Sequence, residues 1–167
     1  MNTAENQSER QQYLTFRLGE EIFAVDVTQV REILDLIPIT RVPQMPEFML
    51  GVINLRGSVV PVINLRRKFR MEQVENTRES CIIVLEIQLE GEQLVIGALA
   101  DSVQEVLELG EEQIEPAPRI GTRLNTEFIR GMGKKEDDFL IILDIDRVFS
   151  SDELARVQDV GELAEEG

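Results

Sequence analysis

Residues 48–69 and 128–149 can be laid over one another at an offset of 80, and the two stretches then share Phe48/Phe128, Gly51/Gly131, Arg67/Arg147 and Phe69/Phe149. The apolar pattern follows the same alignment. Val59, Val60, Val62, Ile63 and Leu65 meet Phe139, Leu140, Ile142, Leu143 and Ile145, and Asn64 meets Asp144. Upstream, an offset of 73 matches Val30, Glu32 and Leu34 with Val103, Glu105 and Leu107, so the connecting loop is seven residues longer in the second copy. Two blocks in the same order predict a duplicated unit. Each copy has room for about five short strands, enough for a small closed barrel but not for two sheets, and closure removes exposed edges.

The local patterns are mostly those of strands. Tyr13, Thr15 and Arg17 alternate with Leu14, Phe16 and Leu18, and Gly19 to Glu21 separate them from Ile22 to Val25, which reads as a hairpin. From Val27 the spacing of Val30, Ile33, Leu34 and Ile37 is helical for about two turns, predicting a short helix that ends before Pro38. Arg56, Gly57 and Ser58 separate two β-rich runs, a second hairpin. Cys81 to Leu89 and Leu94 to Ala100 form a third, followed by Val103, Val106, Leu107 and Leu109. Ser150 and Glu153 form a capping-box pattern that predicts a short C-terminal helix. The expected organisation is a flexible 1–12, one domain over 13–150 built of two barrels (about 13–78 and 79–150), and a helix with an acidic tail over 151–167.

Composition narrows the chemistry. The 167 residues include no histidine, no tryptophan, one tyrosine and one cysteine, so a Ser-His-Asp triad, an HExxH motif or a His/Cys zinc site cannot be assembled. Cys81 opens an apolar run and fits a small buried thiol better than a nucleophile. With 32 acidic and 17 basic residues the net charge is −15, which repels nucleic acid and anionic membranes. Small barrels that bind single strands use basic grooves and stacking aromatics. Here aromatics are 5%, and the one basic knot, Arg66, Arg67, Lys68 and Arg70, has only Phe69 beside it and reads as a solvated turn. Residues 1–10 lack a signal-peptide core, and no apolar run spans a membrane. A soluble cytoplasmic chain without nucleic-acid partner or membrane insertion is expected.

Two further patterns are weak. Gly131-Met132-Gly133, continuing through Lys134 to Asp138, lacks the third glycine or GK[ST] ending of a nucleotide loop, and by the repeat this segment matches the turn at Asn54 to Ser58, an exposed hairpin loop. Asp144 and Asp146 alternate as on one strand face, but no third ligand accompanies them, so solvent-facing strand positions are the simpler reading. No catalytic residue, metal or cofactor is expected.

The run Gly51-Val52-Ile53-Asn54-Leu55-Arg56-Gly57-Ser58-Val59-Val60-Pro61-Val62-Ile63-Asn64-Leu65-Arg66 is long and specific. It closely resembles the signature of the CheW family, bacterial chemotaxis coupling proteins, in which a G-V-x-N-L-R-G turn leads into a hydrophobic V-P-h-h-x-L-R strand, h being apolar. The resemblance extends to the early hairpin with Asp26, to residues 30–33, to 113–118 and to Leu143-Asp144-Ile145-Asp146. It implies a mainly β fold of two SH3-like five-stranded β-barrels on a shared hydrophobic core, without a catalytic site. It also implies an adaptor, monomeric alone, that links the cytoplasmic tips of methyl-accepting chemotaxis receptors to the regulatory domain of a CheA-type histidine kinase, and is recruited to membrane receptor clusters. A CheW-like coupler of a non-swimming pathway has the same signature.

By this resemblance Arg56 and Gly57 form the L-R-G turn, where the glycine tolerates a positive φ and the guanidinium offers planar donors to a receptor helix. An intramolecular ion pair across the barrels is the alternative for Arg56. Val30, Glu32 and Ile33 match the family's V-x-E-I stretch, which implies an apolar groove for the receptor. Packing against the barrel fits Val30 and Ile33 equally well, and Glu32 is expected to be exposed. Ile39, Val42, Val59 and Val60 are the expected kinase-facing residues, set apolar face to apolar face against a barrel of the kinase.

Overall fold

The computed structural model describes residues 10–89, 91–116, 128–135, 137–150, 152, 153, 155–157 and 159, with Leu89 and Lys135 described in backbone only. Eleven strands account for most of this: β1 (Gln11–Leu18), β2 (Glu21–Asp26), β3 (Val30–Asp35), β4 (Met49–Leu55), β5 (Ser58–Asn64), β6 (Cys81–Leu89), β7 (Glu92–Ala100), β8 (Ser102–Leu109), β9 (Ile114–Glu115), β10 (Ile129–Lys135) and β11 (Asp138–Leu143). One α-helical turn, α1 (Leu65–Lys68), follows β5. Asp152, Glu153, 155–157 and Asp159 are helical, and the rest of the expected acidic tail, like most of the 1–12 segment, lies outside the described residues.

The strands form two sheets, ordered β8-β1-β2-β11-β10-β9 and β3-β6-β7-β5-β4. The duplication is visible strand by strand. Moving β4 forward by 80 residues reproduces the bounds of β10, and the start of β5 becomes the start of β11. Both pairs carry a bulge at the matching place, between Met49 and Gly51 and between Ile129 and Gly131. Asn64 N–H donates to Phe48 O at 2.7 Å and Asp144 N–H to Phe128 O at 2.8 Å. The fold is the mainly β pair of SH3-like barrels implied by the sequence.

Sheet membership does not divide the chain near 78/79. The first hairpin leaves its own half: β1 pairs antiparallel with β8 and β2 parallel with β11. In the mirror arrangement β6 pairs with β3 and β7 runs parallel to β5. Each repeat therefore completes its neighbour's sheet. The exchange is invisible to local pattern, because alternation shows which face of a strand is buried and not which strand lies beside it.

Burial follows from this exchange. Leu140 and Ile142 fill one barrel with Tyr13, Ala24 and Leu109, while their counterparts Val60 and Val62 fill the other with Ile53, Ile82 and Val84. A third cluster joins the barrels: Leu14, Phe16, Phe23 and Val25 from one sheet meet Ile83, Leu85, Ile87 and Ile96 from the other. Strand β6 is buried on both faces, which explains its unbroken apolar run and its buried Cys81 thiol, raised by desolvation and by Asp35. The repeated phenylalanines cross between copies, Phe48 against Phe149 at 5.1 Å and Phe69 against Phe128 at 6.2 Å.

Three local expectations are corrected. Val27–Gln29 is a single 3-10 turn capped by Asp26, and the expected helix is strand β3. The partner strand β6 supplies ladder hydrogen bonds that outweigh the weak helical spacing. The expected hairpin turn falls between β10 and β11, but Gly131 and Gly133 themselves lie within β10, where β9 crosses closely and a β-carbon on Gly131 would stand 2.5 Å from the Ile114 methyl. Asp144 and Asp146 lie just beyond β11. Asp144 pairs with Arg147 at 3.5 Å, while Asp146 accepts hydrogen bonds from Gln29 and the Gln88 N–H.

Candidate functional site

The β4–β5 turn consists of two residues, Arg56 and Gly57, both with positive φ (52° and 89°). That is the type I′ geometry of tight hairpins, held by Asn54 Oδ1 accepting the Gly57 N–H at 2.8 Å. Gly57 occupies it freely, whereas a long side chain in the left-handed region costs on the order of 1 kcal/mol. Arg56 spends that strain on a fork. Its Nη1 and Nη2 donate to Glu32 Oε2 and Oε1 at 2.7 and 2.9 Å, an arrangement to which guanidinium is suited. The pair joins β3 to the turn beyond β4, so it spans the two edges of the five-stranded sheet. Hydrogen bonds from Arg56 hold the Glu32 carboxyl below its usual range. The Arg56 side chain is nonetheless 73% exposed.

The structure thus brings Glu32, Arg56 and Gly57 together, with Glu32 half-buried and Arg56 in an ion pair within one barrel rather than across two. Val30 and Ile33 share a sheet face despite the loss of the helix. A bulge between Val30 and Glu32 sets Val30 opposite Leu85 and Ile33 opposite Ile83, two positions apart on β6. Val30 packs on the shared core, while Ile33 is 45% exposed.

The four expected kinase-facing residues do not form one patch. Ile39 and Val42 are half-buried along a groove of about 850 Å³ that also contains Met45, Met49 and Leu50. Val59 stands opposite Asn54 near the Arg56 turn and packs on the shared core. Val60 is corrected: it is 4% exposed and points into the barrel with Ile53 and Val62. Alternation along β5 puts Val59 and Val60 on opposite faces, which their shared apolar character conceals.

The basic knot is also not a solvated turn. Arg66 is buried, donating to Asp101 through Nε at 3.3 Å and also through Nη2, and to Glu72 O. Lys68 donates to both Glu153 oxygens at 2.7 Å and lies 5.3–5.7 Å from the centres of the Phe48, Phe128 and Phe149 rings. Ser150 and Glu153 exchange the two capping-box hydrogen bonds, so Lys68 ties the cap of the C-terminal helix to the ring contacts between copies. Only Arg67 and Arg70 of the knot are exposed. Sequence reading missed these roles, though Ser150/Glu153 marked one partner. Among the described residues no group of three His, Cys, Asp or Glu side chains could hold a metal, and no helix is long and apolar enough to cross a membrane.

Two SH3-like barrels with exchanged hairpins are the fold of a non-catalytic scaffold, and residues 12–153 match the CheW-like domain family. The chain belongs to that family. It is 40% identical to the chemotaxis protein CheW of Klebsiella aerogenes over 150 residues, covering 90% of this chain and 88% of that one. It is 35% identical over 148 residues to the probable chemotaxis protein CheW of Rhizobium etli, covering 89% and 92%. The crystal structure of the scaffolding protein TtCheW from Thermoanaerobacter tengcongensis superposes with a TM-score of 0.76 at 34% identity, over 86% of this chain and 90% of that one.

Proposed function

We propose that the protein couples methyl-accepting chemotaxis receptors to a CheA-type histidine kinase, touching both and thereby regulating kinase autophosphorylation in membrane-associated receptor clusters. The observation that carries this reading is the Arg56–Glu32 fork, a polar device in a strained turn, with Ile33 exposed next to Glu32 on β3. Unfavourable backbone geometry kept at an exposed residue points to use at a contact. The receptor helix lies along β3, with Ile33 as apolar anchor and the Arg56 guanidinium as donor. The kinase regulatory domain lies against the Ile39–Val42 side of the same barrel. A coupler without chemistry alters kinase activity only through contacts that differ between kinase states.

The test adds purified protein to the kinase with and without a receptor cytoplasmic fragment and follows kinase phosphorylation. A receptor-dependent change that requires the protein is expected. Binding to neither partner, with phosphorylation unchanged, contradicts the reading.

A further inference from the structure

The groove beside Ile39 and Val42 has an apolar floor of Ile39, Met49, Leu50 and Leu99 and carries two exposed arginines, Arg41 and Arg67. Comparison of the two copies shows what is unusual about Arg67. Its counterpart Arg147 has Asp144 within 3.5 Å. At the matching position the first copy has Asn64, whose Oδ1 accepts the Arg67 backbone N–H and whose Nδ2 donates to Gln73. The amide keeps the cap of α1 and withdraws the countercharge. Among the described residues neither Arg41 nor Arg67 meets a carboxylate at ion-pair distance, in a chain of net charge −15. Glu47 also lines the groove, leaving one positive charge in excess.

We propose that this groove docks an acidic, amphipathic segment of the kinase regulatory domain, its apolar side chains on the floor and a carboxylate held by Arg67 with Arg41. The proposal rests on the coupler reading and adds the chemistry of the kinase contact. Methionine suits such a floor because its unbranched side chain adapts to the apolar shape it meets. Unpaired guanidinium groups at the edge of an apolar cleft give orientation and a salt-dependent association rate.

The test measures binding of the full-length protein to the kinase regulatory domain and, separately, to a receptor fragment, at low and high salt. Arg67→Glu is expected to weaken kinase binding roughly tenfold and to flatten its salt dependence, with Arg41→Glu acting in the same direction and receptor binding unchanged. Asn64→Asp, which reinstates the second copy's internal countercharge, should weaken kinase binding several-fold with Arg67 still present. Should that variant lose its thermal transition, the exposed Arg67→Glu still decides. Wild-type affinity in both arginine variants, or a loss confined to the receptor, overturns the groove assignment and leaves the coupler reading standing. Failure of the wild-type protein to bind the kinase domain overturns both.

Discussion

Arg56 and Val60 are four residues apart, and the structure gives them opposite fates. Arg56 stands in solvent on a left-handed turn, so Arg56→Ala should leave the thermal midpoint essentially unchanged while weakening receptor-dependent kinase control. Arg56→Gly should melt no lower than wild type, because glycine adopts this φ without strain. If either variant unfolds, the arginine is a fold determinant and its assignment to the receptor falls. Val60→Glu should behave in the reverse way, since it places an unpaired charge among Ile53, Val62 and Ile82. A loss of more than about 3 kcal/mol is expected in chemical denaturation. The motif placed Arg56 and Gly57 at the hairpin turn correctly, because a two-residue turn is encoded locally. It could not separate Val60 from a docking surface, because both are apolar.

At the scale of elements, the C-terminal helix is held through its cap. Lys68 is enclosed by three rings and Glu153, so Lys68→Met removes one partner and leaves a partly buried carboxylate uncompensated. A cost of about 1–3 kcal/mol is expected, with loss of helical signal from the last turns. Acid acts on the same contact. Burial pushes the Glu153 carboxyl up, but hydrogen bonds from Lys68 and Ser150 outweigh it and hold the group below its ordinary value of 4.5. Asp101 is likewise raised by burial and lowered further by Arg66 and the Gly19 N–H, below 3.8. A carboxyl depressed in the folded state stabilises the protein above its unfolded pKa, and the contribution is lost as pH falls through the folded value. Thermal midpoints should therefore hold steady near neutrality and decline below about pH 4.5, less steeply in Glu153→Gln. A decline beginning near neutrality would contradict these pairings. The capping box was legible in four residues, whereas β3 was misread as helix because its stabilising neighbour β6 lies some fifty residues away in sequence.

Across the whole molecule the exchanged hairpins make the two barrels interdependent. A fragment ending at residue 78 contains β1 and β2 but neither β8 nor β11, and it also lacks β6 and β7 beside β3 and β5. It should remain unfolded, and the intact chain should unfold in one cooperative transition followed equally by circular dichroism and by Tyr13 fluorescence. Two separated transitions would show barrels that fold independently. The duplication itself was readable, since Phe48, Gly51 and their partners at an offset of 80 are fixed by contacts made twice. Exchange leaves no such trace, because β1 is equally amphipathic beside either copy. Gly51 and Gly131 were visible as identities without a reason; each lies where another segment crosses too closely for a β-carbon.

In the proposed coupler, one chain holds receptor and kinase at once through separate surfaces of the same barrel. Co-sedimentation of the kinase with receptor-containing membranes tests it most directly, comparing wild type, Arg56→Ala and Arg67→Glu. Kinase is expected to sediment fully only with the wild-type protein, Arg56→Ala should leave more of both proteins in the supernatant, and Arg67→Glu should sediment with less kinase. Kinase sedimenting equally well in the absence of the protein, or with both variants, would contradict it.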